Sequence, residues 1–190
     1  MNSELPKSVV VNGRKLKIRY EFGAALDILT AMDDPKLDDR DRIPTVLYIF
    51  YPNVDSLEPP EYREALERLN WFLNMGQGEA PGAVNVRVID WEQDFPLIVA
   101  AVNRVLGFDV RERPDLHWWT FYAAFMEIGD CTLAQVIAIR YKLALNKKLE
   151  KYEREWYRQN KNLVDFKRKS PQRNTQKYTR AELDLINKLI

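Results

Sequence analysis

The stretch between residues 90 and 128 constrains this chain more than any other. It contains D-W-E-Q-D-F-P, then the apolar-periodic L-I-V-A-A-V-N-R-V-L-G, then L-H-W-W-T-F-Y-A-A-F-M-E-I. Trp91, Trp118 and Trp119, three of the five tryptophans, fall here with the single histidine, His117; the single cysteine, Cys131, follows closely. Large aromatic side chains dominate cores and contact surfaces, so this density points to packing rather than to a reaction centre. The last run is apolar nearly all round, with Trp118, Phe121, Tyr122 and Phe125 on one stripe and Trp119, Ala123 and Met126 on another. A helix of that kind belongs at the centre of a fold. Trp91, Phe95, Ile98, Val102 and Leu106 are expected to pack on it, so Trp91, Phe95, Trp118, Phe121 and Phe125 form the candidate core.

Upstream, Val9 to Val11, Asn12-Gly13 and a strictly alternating run through Tyr20 form a hairpin signal, because Asn-Gly suits a two-residue type I′ turn. Leu16, Ile18 and Tyr20 face one way and Lys15, Lys17 and Arg19 the other. The basic face and the strand edges are candidates for pairing with another subunit. Helical spacing then predicts a helix from about Glu21 to Met32 and a second from Asp39 to Phe50, with Pro44 acceptable only in a first turn. A third opens at Pro59-Pro60 with the stripe Tyr62, Ala65, Leu66, Leu69, Phe72 and Leu73. Residues 75–89, rich in Gly and Pro, are expected to form a mobile surface loop. The next helix starts at Asp90 or at Asp94, both starts remaining open, and ends at Gly107. Thr132 is placed as the cap of a sixth helix running to Tyr141.

Beyond it Leu145, Leu149, Tyr152, Trp156, Leu163 and Phe166 recur at three- and four-residue steps, a heptad-like stripe on a strongly charged helix. Residues 167–180 have the composition of a disordered linker. Leu183, Ile186, Leu189 and Ile190 then form a short amphipathic segment, readable as an oligomerisation latch. The fold class expected is mainly α: a helical core with an N-terminal β-hairpin (residues 1–145), followed by a long charged C-terminal helix or arm and tail (146–190). Leu149, Tyr152, Trp156, Leu183, Ile186 and Leu189 are the candidate protein-contact residues.

Charge divides the same way. Residues 140–180 carry a balance of +10 and the remainder of the chain −9, which leaves a net charge of +1. The basic arm is either a solvated, solubilising face or an electrostatic docking arm for an acidic partner, protein or nucleic acid. No run is long and apolar enough to span a membrane, and the N-terminus lacks a signal core.

The usual enzyme motifs are missing: there is no dinucleotide or phosphate loop and no nucleophile elbow. One His and one Cys do not make a zinc site. His117 reads as a structural imidazole, with Asp115 or Asp90 as a hydrogen-bond partner. Glu92 and Asp94, two residues apart, do not face each other on a helix, and Cys131 has no cationic neighbour to activate it. The chain is therefore not expected to be an enzyme, and neither a cofactor nor a metal is expected.

Residues 90–96 and 116–121, separated by about twenty residues, resemble the phage "gene product fifteen" family. In that family D-[FW]-E-Q-D-x-P is followed at this spacing by L-H-W-W-x-F. The likeness extends more weakly into A-I-R-Y-K and K-Y-E-R-E-W-Y, covering residues 9–162. The resemblance implies a tail-assembly-chaperone-like protein of the host bacterial cytoplasm. Its implied partners are the tape-measure protein, tail-tube subunits and further copies of itself. The alternative is nucleic-acid binding through the basic arm, with Tyr152, Trp156, Tyr157 and Tyr178 available for base stacking.

Overall fold

The computed structural model describes residues 4–77 and 86–167. Strands β1 (Ser8–Val11) and β2 (Arg14–Lys17) form an antiparallel hairpin. The helices are α1 (Phe22–Asp33), α2 (Asp39–Phe50), α3 (Tyr62–Leu73), α4 (Phe95–Leu106), α5 (Trp118–Met126), α6 (Thr132–Ala144), α7 (Lys151–Gln159) and α8 (Lys161–Val164). Short 3-10 turns occupy Val54–Ser56, Pro59–Glu61 and Val110–Glu112. The fold is mainly helical with an N-terminal hairpin. It divides into two units, one of Met1–Gly78 with Arg113–Tyr122, the other of Glu79–Glu112 with Ala123–Ile190. Helix α5 thus gives its first residues to the first unit and its last to the second.

In the first unit the hairpin turns at Asn12 and Gly13, both with positive φ (48° and 73°), the backbone that a type I′ turn requires. Val9 and Val11 are buried while Val10 is half exposed, so β1 shows one face to a core, as strand alternation demands. β1 lies along α3, and side chains of that helix fasten it. Arg68 Nε donates to the Val10 carbonyl at 2.9 Å and Glu64 accepts the Asn12 amide at 2.8 Å. Buried Glu61 accepts from Arg14 (2.5 Å), the Asn12 side chain (3.1 Å) and the Glu58 amide (2.9 Å). The Glu58 amide, then Asn12 and Arg14, hold its carboxyl below the usual glutamate range.

Helix α2 matches its predicted bounds, with the Asp38 carboxylate capping the amides of Arg40 and Asp41 at 2.9 Å. Pro44 departs from expectation: it lies in the helix interior, not in the first turn. Its missing N–H removes the bond to the Arg40 carbonyl, and both residues are on the exposed side, where water can satisfy that oxygen. Tyr62 also differs, being exposed at the start of α3, while Ala65, Leu69, Phe72 and Leu73 are buried.

In the second unit residues 86–89, the described end of the expected surface loop, are buried, as is Asp90 after them, so that part is not a surface loop. Helix α4 starts after Asp94, with Pro96 in its first turn, and ends at Gly107 in the left-handed region (φ 77°). Trp91 packs on Phe125 with ring centroids 5.3 Å apart. Phe95 is only half buried, because it stands at the open end of the α4 face whose interior is Ile98, Val99 and Val102. Helix α6 is capped by Cys131, not Thr132: the sulfur accepts the Ala134 amide at 3.5 Å. Thr132 is the first helical residue.

The heptad-like stripe does not lie on one long helix. Helix α6 ends before a turn that places Asn146 at φ 52°. The nine-residue α7 stops at Asn160, and α8 is a further four residues. Leu149 and Val164 instead close a small core with Val136 and Ile139 of α6, flanked by Trp156, Tyr157 and Leu163. The predicted linker and latch, from residue 168 through Leu183, Ile186, Leu189 and Ile190, lie outside the described residues.

Candidate functional site

The aromatic and acidic motif at residues 90–96 is built around a side chain that the sequence reading passed over, Arg140. Helix α6 presents this arginine on its apolar face, one turn beyond Val136. Both Arg140 and Asp94 side chains are 2% exposed, and they meet as a fork: Nη1 to Oδ2 at 2.5 Å and Nη2 to Oδ1 at 3.0 Å. The remaining guanidinium donors reach main-chain carbonyls. Nε donates to Val164 (2.6 Å), Nη1 to Val88 (3.0 Å) and Nη2 to Leu163 (2.8 Å). Burying a charge pair costs several kcal/mol per ion unless geometry and extra hydrogen bonds compensate. Here all five donors are used.

Asp90 completes the motif. Its Oδ1 accepts the amides of Glu92 (3.1 Å) and Gln93 (2.9 Å), its Oδ2 pairs with buried Arg87 (2.8 Å), and its own amide donates to Asp94 Oδ2 (2.9 Å). The D-x-x-Q half of a capping box is therefore present, but Asp94 rather than Gln93 returns the bond. Gln93 is turned to the C-terminal segment: Nε2 donates to the Asp165 carbonyl (2.9 Å) and Oε1 accepts the Lys167 amide (2.8 Å). Glu92 is exposed and does not face Asp94 as a paired acid and base.

In the first unit His117, the residue before α5, lies in a buried site. The Trp119 amide donates to Nδ1 at 3.0 Å, which leaves Nε2 to carry the proton and donate to the Pro6 carbonyl at 2.9 Å. Neither Asp90 nor Asp115 is its partner; backbone groups are. Burial, foremost, and the nearby Lys7 charge push its pKa below the ordinary histidine value, with the Pro6 bond opposing them. Tyr20 stacks on the ring at 5.4 Å, and a bridge between Glu21 and His117 ties the approach to α1 to that of α5. Trp118 Nε1 donates to the Leu73 carbonyl (3.1 Å) and Trp119 Nε1 to that of Phe72 (2.8 Å). The L-H-W-W element thus sews α5 to the end of α3. Phe121 stacks on Phe22 at 4.7 Å.

The candidate contact residues divide. Leu149 is buried in the small α6–α8 core, Trp156 is half buried against it, and Tyr152 is 64% exposed. The described part of the basic arm is partly neutralised from within. Besides Arg140, Lys142 pairs with Glu153 at 2.6 Å and Lys161 with Asp165 at 2.6 Å. Burial raises the Glu153 pKa, but the Lys142 ammonium and the Glu150 amide outweigh it, holding the carboxyl below the ordinary glutamate value. Among the described residues no group of three or more His, Cys, Asp and Glu side chains is placed to hold a metal, and no helix is long and apolar enough to cross a membrane.

No curated protein and no solved structure matches the chain. The family described as Bacteriophage Gp15 protein matches residues 1–166. That span takes in the hairpin, both units and the C-terminal segment as far as Phe166. The chain belongs to the bacteriophage Gp15 protein family, which is linked to tail morphogenesis.

Proposed function

We propose that this protein works in tail morphogenesis by binding other proteins, as a chaperone of the tape-measure protein and of tail-tube subunits, in the host bacterial cytoplasm and without catalysis. The observation that carries this reading is how the motif residues are spent. Asp90, Asp94, His117, Trp118 and Trp119 are engaged by internal bonds that shape the scaffold. A scaffold so fixed leaves function to its surfaces. Exposed Tyr152 on α7 and the outer face of the hairpin, with Val10, Lys15 and Lys17, are the surfaces offered. Shielding an elongated helical partner needs grooves or matching helices of this kind.

Nucleic-acid binding is the second reading. The pairing of Arg140, Lys142 and Lys161 with carboxylates weakens it, because those charges are not free to displace counterions from phosphates. Co-expression of the tagged chain with the neighbouring tail genes tests the first reading. Recovery of the tape-measure protein supports it. Recovery of nucleic acid alone, in a salt-sensitive form, would replace it with the second.

A further inference from the structure

The segment at residues 163–167 is held as a bound peptide is held. Arg140 donates to the carbonyls of Leu163 (2.8 Å) and Val164 (2.6 Å), and Gln93 reads the Asp165 carbonyl (2.9 Å) and the Lys167 amide (2.8 Å). One aromatic side chain supplies specificity. The guanidinium carbons of Arg140 and Arg87 lie 4.1 and 4.4 Å from the Phe166 ring centroid, a double cation–π contact. Val164 fills the pocket beside Val136, Ile139 and Leu149. These are side-chain groups reading the last carbonyls of α8 and the extended residues that follow it from Asp165, with Val164 and Phe166 as two apolar anchors.

We infer that Gln93, Arg140 and Arg87 form a peptide-binding clamp for this strap, and that the clamp takes the same segment from a second copy of the chain as well as from its own. None of the clamp bonds depends on the covalent path between clamp and strap, so a strap from another copy satisfies each of them. The path itself has two breaks at which the strap can swing away. They are the turn after α6, with Asn146 in the left-handed region, and Asn160 between α7 and α8 (φ −115°, ψ 27°). Phe166 and Leu163 are half buried and Val164 is enclosed, so entry opens the small core that Val164 closes with Val136, Ile139 and Leu149. Exchange of an identical element is a low-cost route to a symmetric pair. The tether keeps a chain's own strap at an effective concentration on the order of millimolar, so exchange is favoured where copies are crowded and suppressed in dilute solution. This inference stands apart from the identity of the tail partner.

Two full-length chains test it, both carrying Cys131→Ser, one with Glu92→Cys beside the clamp and the other with Lys167→Cys at the end of the strap. They are mixed at high concentration, incubated and treated with a short bis-maleimide. The expected result is a mixed covalent dimer whose yield rises with concentration and drops at least tenfold when Phe166→Ala is added to the strap chain or Gln93→Ala to the clamp chain. Absence of the mixed dimer, or a yield indifferent to both substitutions, would overturn the inference.

Discussion

Arg140 and Asp94, 46 residues apart in sequence, meet as a bidentate pair of 2.5 and 3.0 Å with both side chains withdrawn from water. The pair joins four separate pieces of chain: residues 86–90 through Val88, the start of α4, the middle of α6 and the strap after α7. Removing one member leaves the other charge buried alone, which typically costs about 3–5 kcal/mol. Asp94→Ala should therefore lower the stability of the full chain by about that amount in urea titration. Arg140→Lys should not restore it, because an ammonium lacks the planar fork and cannot serve five acceptors. An Arg140→Lys protein of wild-type stability would show that the fork contributes little.

His117 makes stability depend on pH, and the sign follows from its neutral, Nε2-protonated state in the fold. Its folded pKa lies below the unfolded value near 6.5, because burial disfavours the imidazolium. Above about pH 6.5 both states are neutral and this group adds no slope. As the pH falls through that value toward the folded pKa, the unfolded state binds the proton first and stability drops. Melting temperatures across this window should fall less steeply in His117→Asn, whose side-chain oxygen can still accept the Trp119 amide. Equal slopes in the two proteins would remove His117 as the cause.

Trp118 is 1% exposed and donates to the Leu73 carbonyl. Trp118→Ala should cost about 3–5 kcal/mol, from the lost ring and the cavity left behind. A stable, correctly folded variant that failed only in partner binding would make Trp118 a contact residue instead.

Tyr152 and Leu149 separate contact from packing on the same arm. Leu149→Ala should cost about 2–5 kcal/mol as a buried leucine truncation. Tyr152→Ala should change stability by no more than about 0.5 kcal/mol, as exposed substitutions do, while reducing capture of the tape-measure protein. Unchanged capture by Tyr152→Ala would remove α7 from the proposed surface.

Where local chemistry decides, the sequence was readable. Asn12-Gly13 set the turn and Gly107 the end of α4, and helical spacing set the bounds of α2 at Asp39 and Phe50. Of the five aromatic residues expected in the core, Trp91, Trp118, Phe121 and Phe125 are buried and Phe95 is half buried. What escaped was decided by distant partners. Residues 86–90 look like loop beside the Gly- and Pro-rich positions before them, yet Arg140 and Asp94 draw them into the second unit. Arg140 itself was visible only as a lone charge on an apolar helix face, a signal that a buried partner must exist. The C-terminal stripe read as one long helix because its spacing is helical, but a left-handed Asn146 and a break at Asn160 fold it back, so Leu149 and Val164 serve one small core. Cys131 displaced Thr132 as a cap because the extended residue before a helix can cap with a thiol as well as with a hydroxyl. Pro44 was misjudged because an exposed helix face tolerates one missing bond.

The most direct test of the proposed role is the fate of the tape-measure protein when it is produced with and without this chain. A chaperone of that partner should convert it from insoluble to soluble and run with it as one complex of defined mass on size-exclusion chromatography with light scattering. If the tape-measure protein is equally soluble in both cases and the two elute separately, the chaperone account is contradicted.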